Sequence, residues 1–476
     1  MTVFTLPLST PVLAVLSAVL LSGCAGFSPD GGMSVVSQLT QQRIGQPVSK
    51  IQSPEQNSAN TILVQNLLKT PLDSDRAVQI ALFNNPGLQV AFAELGVAEA
   101  DFVQSGRVRN PSFSFDHLSG GANLEIGRGI MFDLVGLLTL PVRSGIERRR
   151  FELAKLAAAA TAVQLAADTR RAFFDAVAAG QTAHYMEQVQ ASAEAAAALA
   201  SGLTKVGNWS KLEQHRQQAF YAEAVAQAAR SAQTAVATRE QLTRYLGLSG
   251  AATAFVLPER LPDLPESANE INDIEAQTMA QRLDIQIAKR DAEAIAAGLG
   301  LTRATGLINV LDAGYINKGQ SGQPRETGYQ ISLELPLFDW GGAKTAKAEA
   351  RYMQAVYRTA DAAIRARSEV REAYFAYRTQ YDLARHYRDE VVPLQRKISA
   401  EVMLRYNGML ASAFELLADA RDQASSVNKA IEAQRDFWIA DTQLQGAISG
   451  AGSAVASSSI ASRMRNVGSV SSQLIH

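Results

Sequence analysis

Hydrophobic and polar residues alternate along two stretches of the chain, and each stretch then gives way to a helical period. From Tyr329 to Leu335 apolar residues alternate with polar ones, which is the pattern of a strand with one apolar and one polar face. After Gly342 the apolar positions recur at a helical period in an alanine-rich run. A similar change occurs at Pro141, because the apolar residues between Ile130 and Leu140 mostly share one parity. Each stretch therefore predicts a strand that leads into a helix.

Each of these strands is predicted to be the second strand of a hairpin, at about 112–140 and about 307–337. The helical run after the first hairpin, Arg143–Ser201, would be about 90 Å long at 1.5 Å per residue. It breaks at Val206–Ser210 and a second helix returns to Leu248. We expect the helices of this run to pack closely in a coiled-coil-like wall, because most of their apolar residues are alanine.

The second half of the chain repeats this order. The helix from Gly342 breaks at Tyr406–Gly408 and returns to about Ile448. Leu88–Ala91 also matches Ile285–Ala288, and internal similarity of this kind indicates a duplication. The predicted organisation is a signal peptide (1–23), an extended tether (24–66), a first repeat (67–248), a Pro-rich linker (249–272), a second repeat (273–449) and a disordered tail (450–476).

Composition narrows the class of protein. The 476 residues have a formal net charge of −1, which gives no reason to expect nucleic acid as a partner. Five histidines and one cysteine leave little material for a metal site, so we expect none. No phosphate-binding glycine loop, no metal-binding His and carboxylate pair and no nucleophile elbow occurs in the sequence. We therefore predict no catalytic residue, no cofactor and no enzymatic activity.

The single cysteine follows a short apolar run at the N-terminus, which is too brief to span a bilayer. The segment Leu21–Cys24 resembles the lipobox of bacterial lipoproteins. On that resemblance Cys24 is the acylated first residue of the mature chain, and Ala25 after it is similar to lipoproteins sent to the outer membrane. The alternative is a plain secretory signal in which the cysteine is incidental.

Several motifs together resemble the TolC-type outer-membrane factors of Gram-negative efflux systems: Ala81–Pro86, Asn110–Pro111 and Leu335–Gly342, within the repeated order of helices and hairpins. The resemblance implies a trimer with a twelve-strand barrel and a helical tunnel. Physical reasoning is compatible with it. No interior run of about 18 apolar residues exists, so a membrane span would have to be a closed β-barrel. Four strands cannot close one alone, so copies would have to share strands. The predicted fold class is mainly α with a membrane β-barrel.

Three groups of residues are candidates for function. Glu415, Asp419 and Asp422 share a helix face, and in a trimer they would form carboxylate rings that act as a pore gate; the alternative is an ordinary solvated face. Gly207 and Gly408 mark turns that would dock on a partner. The seams between barrel and helices are predicted at Pro141 in the first repeat and at Pro336, Phe338, Trp340, Gly341 and Gly342 in the second.

The resemblance implies a passive exit duct in the outer membrane, anchored through Cys24 and extending into the periplasm. Its partners would be outer-membrane lipid, a periplasmic adaptor and an inner-membrane pump, and its substrates metal ions or small toxic compounds. Two alternatives stay open: the exit duct of a type I protein secretion system, and a periplasmic coiled-coil scaffold lipoprotein without a pore. Arg148–Arg150 is interpreted as a solvated helix start near lipid headgroups, since it lacks the aromatic residues of a nucleic-acid patch.

Overall fold

The computed structural model describes residues 26–120, 123–271, 273–305, 310–334 and 336–451. The predicted signal peptide, Cys24 and the tail from residue 452 lie outside the described residues. The predicted fold class is confirmed, because the described chain is mostly helical and contains four strands that form one antiparallel sheet.

The elements follow one another in an order that occurs twice. The first ten are α1 (Met33–Ile44), α2 (Pro54–Leu67), α3 (Ser74–Asn84), α4 (Pro86–Ser105), β1 (Ser112–Gly120), β2 (Asn123–Asp133), α5 (Leu134–Lys205), α6 (Lys211–Leu246), α7 (Ile274–Gln281) and α8 (Leu283–Ala304). The remainder are β3 (Leu311–Gln320), β4 (Glu326–Leu333), α9 (Gly342–His386), α10 (Val392–Asn407) and α11 (Ala413–Ser449). A π turn, Tyr387–Val391, separates α9 from α10, and a short 3₁₀ turn, Gly250–Thr253, follows α6.

Local capping chemistry sets many of these boundaries. Asp73 precedes α3 and its carboxylate accepts a hydrogen bond from the backbone N–H of Arg76 at 2.8 Å. The helix ends at Asn84, and α4 begins at Pro86, whose missing N–H is tolerated in a first turn. The cap at Asp73 and the proline at position 86 therefore mark the start of α3 and the joint between α3 and α4.

The prediction of an extended tether at 24–66 is wrong for much of that segment, because α1 and α2 lie there. Ser53 caps α2, accepting from the N–H of Gln56 at 3.3 Å, and Pro54 occupies the first turn. Val36 of α1 and Val64 of α2 are buried. The polar composition suggested no helix, but a few apolar contacts and a good cap are enough when the rest of the protein supplies a packing surface.

The first hairpin also ends earlier than predicted. Strand β2 stops at Asp133, and Pro141 lies inside α5 and not at a seam. The carboxylate of Asp133 accepts from the N–H of Gly136 at 2.6 Å and so starts the helix. The parity argument failed because Leu134 and Leu138 are also four residues apart, which fits a helix face as well as a strand face.

The second strand-to-helix change is confirmed where it was predicted. Strand β4 ends at Leu333 and α9 begins at Gly342, with Pro336 in the connection between them. Gly341 has a φ of +75°, a left-handed conformation that favours glycine just before the helix. Its N–H donates to Oδ1 of Asp339 at 2.9 Å. Leu335 lies outside the described residues.

The described chain divides into two compact units, and neither is one of the sequence repeats. The first unit contains the described residues up to Val35 together with Ala91–Ala158 and Ile285–Ala362, which include the whole sheet. The second contains Val36–Val90, Ala159–Asp284 and the described residues from Ala363 onward. Each unit draws on both halves of the chain, so a repeat cannot form either unit without the other repeat.

The second unit has an aromatic core that holds the Pro-rich linker in place. Phe174 stacks on Trp438 with ring centroids 5.4 Å apart. The Trp438 indole N–H donates to the carbonyl of Pro262 at 3.0 Å, and the Tyr381 hydroxyl donates to the carbonyl of Glu266 at 2.9 Å. Leu261 of the linker is 1% exposed. The linker is therefore a packed part of this unit.

Candidate functional site

The four-stranded sheet has two chemically different faces. The strands pair in the order β1-β2-β3-β4, and residues directly opposite each other project from the same face. One row across all four strands consists of Phe113, Ile130, Tyr315 and Tyr329. All four side chains are exposed, from 43% for Ile130 to 90% for Tyr329. The same face also carries Phe115, Phe132, Leu311, Ala313, Ile331 and Leu333, and nearer the hairpin turns it carries the polar residues His117, Arg128, Asn317 and Thr327. We call it the apolar sheet face.

The opposite face carries small and polar residues. It includes Ser112, Ser114, Asp116, Leu118, Glu125, Gly127, Gly129, Met131, Asp133, Asp312, Gly314, Ile316, Lys318, Gln320, Glu326, Gly328, Gln330 and Ser332, and we call it the polar sheet face. The large apolar side chains among them are Leu118, Met131 and Ile316. It is crowded: a Cβ atom on Gly129 would lie 2.6 Å from Oγ of Ser114, and one on Gly314 would collide with the carbonyl of Ile130. The glycines therefore make room for larger neighbours on this face.

Aromatic residues mark the end of the sheet at the second junction. Phe338 is 99% exposed and Trp340 is 67% exposed. With Pro336 and the pair Gly341 and Gly342, they lie between β4 and α9. Their predicted placement at a lipid interface stays a prediction. The first junction, at Asp133, has no such aromatic pair in its connection, because α5 begins at the next residue.

The two predicted docking turns have the same backbone geometry with different residues in the strained position. After α5, Gly207 is left-handed, with a φ of +80°. After α10 the left-handed residue is Met409, with a φ of +60°, while Gly408 has a φ of −81°. In both turns the left-handed residue donates its N–H three residues back, and the next residue donates five back: Asn208 to Leu203 at 2.9 Å and Leu410 to Arg405 at 2.8 Å. This is the Schellman motif.

A serine caps the helix after each turn. Ser210 and Glu213 form a reciprocal capping box at the start of α6, and the hydrogen bonds from Ser210 lower the pKa of Glu213. Ser412 caps α11, and its hydroxyl accepts from the N–H of Glu415 at 3.2 Å. Glu415 therefore occupies the third helical position, equivalent to Glu213, where a carboxylate also favours the helix start.

The three gate candidates do not share one environment. Glu415 and Asp422 are exposed. Asp419 is 6% exposed, and its Oδ1 accepts from Nε2 of Gln395 on α10 at 2.9 Å. Within one chain Asp419 thus holds α10 against α11, whereas the other two carboxylates are free to face solvent or another copy.

An arginine that the sequence analysis did not single out lies beside this group. The guanidinium of Arg421 lies 4.4 Å above the ring of Phe220, and it donates to Oε1 of Gln217 at 3.3 Å. Gln217 is fully buried, and its Nε2 has no hydrogen-bond partner among the described residues. Arg421 therefore connects α11 to α6, the two helices that follow the turns at Gly207 and Met409. The sequence shows that Arg421 precedes Asp422. Only the pairing of α11 with α6 shows that its side chain reaches Gln217 and Phe220.

Within the described ranges, none of the helices has the length and apolar character needed to cross a membrane. The same residues hold no cluster of three or more His, Cys, Asp or Glu side chains placed to bind a metal ion.

Comparison with known proteins agrees with this architecture. Residues 275–450 match the family model of the outer membrane efflux protein. No curated protein sequence matches the chain. Among solved structures, the outer membrane channel CmeC of Campylobacter jejuni superposes with a TM-score of 0.70 at 15% identity, covering 80% of this chain and 86% of that one. A membrane protein from Pseudomonas aeruginosa gives 0.68 at 20% identity, covering 79% and 93%. The open state of MtrE from Neisseria gonorrhoeae gives 0.64 at 17%, covering 79% and 89%.

The fold is therefore that of outer-membrane channels, with a two-faced sheet and long paired helices. More narrowly, residues 275–450 match the outer membrane efflux protein family, and the chain has the fold of the TolC-family channels, as the sequence resemblance predicted.

Proposed function

We propose that this protein is the trimeric outer-membrane exit duct of a tripartite efflux system that expels metal ions or small toxic compounds. The observation that carries the proposal is the sheet. Its strands pair as β1-β2-β3-β4, so β1 and β4 are both edges of the described sheet. Exposed edge groups in lipid cost several kcal/mol each. Pairing β4 of one copy with β1 of the next removes both edges, and three copies give a closed ring of twelve strands.

The two sheet faces fit that arrangement. Phe113, Ile130, Tyr315 and Tyr329 would face lipid, and the polar sheet face would line the lumen. Larger barrels enclose a channel, which their inward-facing residues line. The glycines at 129 and 314, where a side chain would collide with its neighbours, are consistent with a sheet that curves toward its polar face.

The helices would continue the lumen into the periplasm, and the turns at Gly207 and Gly408 would dock on a periplasmic adaptor. The sequence has no nucleotide-binding motif, so transport energy would come from an inner-membrane pump. Arg405–Met409 and Phe414–Leu417 resemble the branch that works with resistance-nodulation-division pumps, which supports metal ions or small toxic compounds as substrates. Cys24 would carry the lipid anchor, and palmitate labelling that disappears in Cys24→Ser tests it.

Neighbouring residues on β4 offer a matched test. Gln330 lies on the polar sheet face and Ile331 on the apolar face. We expect purified protein to form heat-stable trimers with stepwise conductance in planar bilayers. Gln330→Arg should keep the conductance but lower its cation preference, because it adds a positive charge to the lumen. Ile331→Arg should impair insertion, since an arginine facing lipid costs about 2–4 kcal/mol at the midplane.

The alternatives give different results. A scaffold without a pore would be monomeric, soluble without detergent and non-conducting. A type I secretion duct would conduct, but a deletion strain would lose export of a protein and keep its resistance to drugs and metals. The gate has its own test: Glu415→Gln with Asp419→Asn should raise conductance or alter cation preference, and unchanged values would refute the gate.

A further inference from the structure

The apolar surface of the sheet continues onto the start of α5. Residues 134–142 contain no charged side chain. Leu137, Leu138 and Val142 are 45%, 76% and 46% exposed. Such side chains on the first turns of a helix that otherwise has a solvated face need a covering surface. The basic residues begin directly afterwards, at Arg143.

The helical period places two arginines beneath these apolar residues. Leu138, Val142 and Arg149 fall within a narrow stripe along α5, because steps of four and seven residues nearly complete whole turns. Arg148 lies under Leu137 in the same way. Arg149 is seven residues beyond Val142, or about 10 Å along the helix. The polar headgroup layer extends about 5–8 Å beyond the hydrocarbon core on each side, a distance within reach of a long arginine side chain.

Within the described part of the chain, these two arginines have no ion-pair partner. Arg150 donates to the carboxylate of Glu147, but among the described residues neither Arg148 nor Arg149 forms an ion pair. Both are exposed.

The second junction shows the same order independently. Phe338 and Trp340 are exposed, and Lys344 and Lys347 follow on the first turns of α9, both exposed. Two junctions with different sequences thus each present an apolar band and then a basic band. A patch that served only solubility would not need the apolar band in front of it.

We propose that Arg148 and Arg149, together with Lys344 and Lys347, bind the phosphate groups of anionic phospholipids in the periplasmic leaflet of the outer membrane. This inference rests on the proposed function, because it requires the sheet to be in the membrane. Arginine suits the role, since its planar guanidinium can bind a phosphate through two hydrogen bonds. The basic bands would fix the depth at which the channel sits in the bilayer.

The test compares the full-length protein with two double variants. Arg148→Gln with Arg149→Gln removes the basic band of α5. Arg396→Gln with Lys397→Gln removes two exposed basic residues from α10 and serves as the matched control. Each protein is purified in detergent and offered mixtures of phosphatidylglycerol and phosphatidylcholine, and the lipids retained on the folded protein are counted by native mass spectrometry. Conductance is measured on the same samples.

We expect the unmodified protein and the control to retain phosphatidylglycerol preferentially, and the Arg148 and Arg149 variant to lose that preference by about tenfold. Lys344→Gln with Lys347→Gln should reduce it less, because an ammonium cannot form the paired contact. Equal losses in the control would overturn the proposal, as would inorganic phosphate that binds in place of the lipid at equal concentration. Conductance without lipid preference would refute this inference alone, whereas unmodified protein that does not conduct would refute the proposed function.

Discussion

The same structural task is carried out differently in the two halves of the chain. In the first half, the joint between α3 and α4 satisfies the carbonyl end of the returning helix α6. Asn84 donates from Nδ2 to the carbonyls of Leu246 and Gly247 at 3.0 and 2.8 Å, and Asn85 donates to that of Tyr245 at 2.8 Å. These neutral amides supply the partners that helix ends otherwise lack.

In the second half, the joint between α7 and α8 uses a buried cation. Arg282 has no exposed surface, and it donates to the carbonyl of Ala447 on α11 at 2.9 Å. It forms two hydrogen bonds with Asp284, at 2.9 and 2.7 Å, and one with Glu369 at 2.6 Å. A neutral joint loses only hydrogen bonds when it is broken. When a charged joint is broken, a buried ion loses a partner. Breaking the joint in the second half should therefore lower the free energy of unfolding more than breaking the joint in the first half.

The largest effect is expected from Arg282→Ala. It should lower the free energy of unfolding by about 3–5 kcal/mol, because the ion pairs of the buried guanidinium with Asp284 and Glu369 would be lost. Chemical denaturation followed by circular dichroism measures this in detergent. Arg282→Lys keeps the charge but has fewer hydrogen-bond donors. Its free energy of unfolding should lie between those of the unmodified protein and the alanine variant, and it can be measured even if the alanine variant does not fold.

A smaller loss is expected from Asn84→Ala, about 1–3 kcal/mol, because two helix-end carbonyls lose one donor each. The same denaturation experiment applies. If the asparagine and arginine variants lost equal stability, the contrast between the neutral and charged joints would be wrong.

The two turns should respond in opposite directions. Gly207→Ala places a Cβ in a left-handed position and should destabilise the protein by about 1 kcal/mol. Met409→Gly removes such a Cβ and should stabilise it by about the same amount, apart from any lost contact. Thermal unfolding of both variants checks the pair, and two shifts of the same sign would contradict the equivalence of the turns.

The smallest effect concerns a half-buried carboxylate of α11. The capping serines Ser210 and Ser412 occupy equivalent positions of the two repeats and are 202 positions apart (412 − 210). By the same offset, Asp441 of the second repeat is equivalent to Arg239 of the first. Burial raises the pKa of Asp441, and Arg170 opposes the shift only in part. The folded state therefore binds the proton more tightly than the unfolded state. The charged form costs stability at neutral pH, and this cost disappears below the ordinary carboxylate pKa.

Asp441→Asn should accordingly raise the free energy of unfolding by less than about 1 kcal/mol at neutral pH. The difference from the unmodified protein should shrink as the pH falls through the raised pKa of Asp441 and vanish in acid. Denaturation midpoints measured across that range test the sign. Arg239→Gln is the matched control, and its effect should not follow this pH dependence, since arginine stays charged throughout.

Capping and periodicity carried most of the sequence-based prediction. Asp73, the break at Pro86 and the turn before Ser210 were predictable because their signals act within a few residues. Pro141 was misplaced because its neighbours satisfy two periods at once, and the deciding interaction was a single cap at Asp133. The left-handed conformation of Met409 was also missed. The turn was predicted at Gly408, one position earlier, because glycine is the residue that most often adopts this conformation.

Features that depend on distant parts of the chain could not be predicted. Arg282 appears ordinary in the sequence, and only the fold brings Glu369 to it. The π turn is a further case. From Arg170 to Gly207 there are 37 positions, and from Arg371 to Met409 there are 38. Arg170 forms an ion pair with Asp75 as Arg371 does with Glu275, so the two arginines are equivalent positions of the repeats. The segment between the arginine and the turn is therefore one residue longer in the second repeat, and the π turn lies within that segment.

The pairing of β2 with β3 has a consequence for how such a protein can arise. These strands come from different halves of the chain, with about 180 residues between Asp133 and Leu311, yet they join as simply as the two strands of one hairpin. In the proposed ring, the contact inside each chain and the contact between chains are the same kind of edge pairing. Six half-length polypeptides could close that ring as well as three whole ones. Gene fusion would then change only the number of subunits, and either half could afterwards diverge while the ring stayed closed.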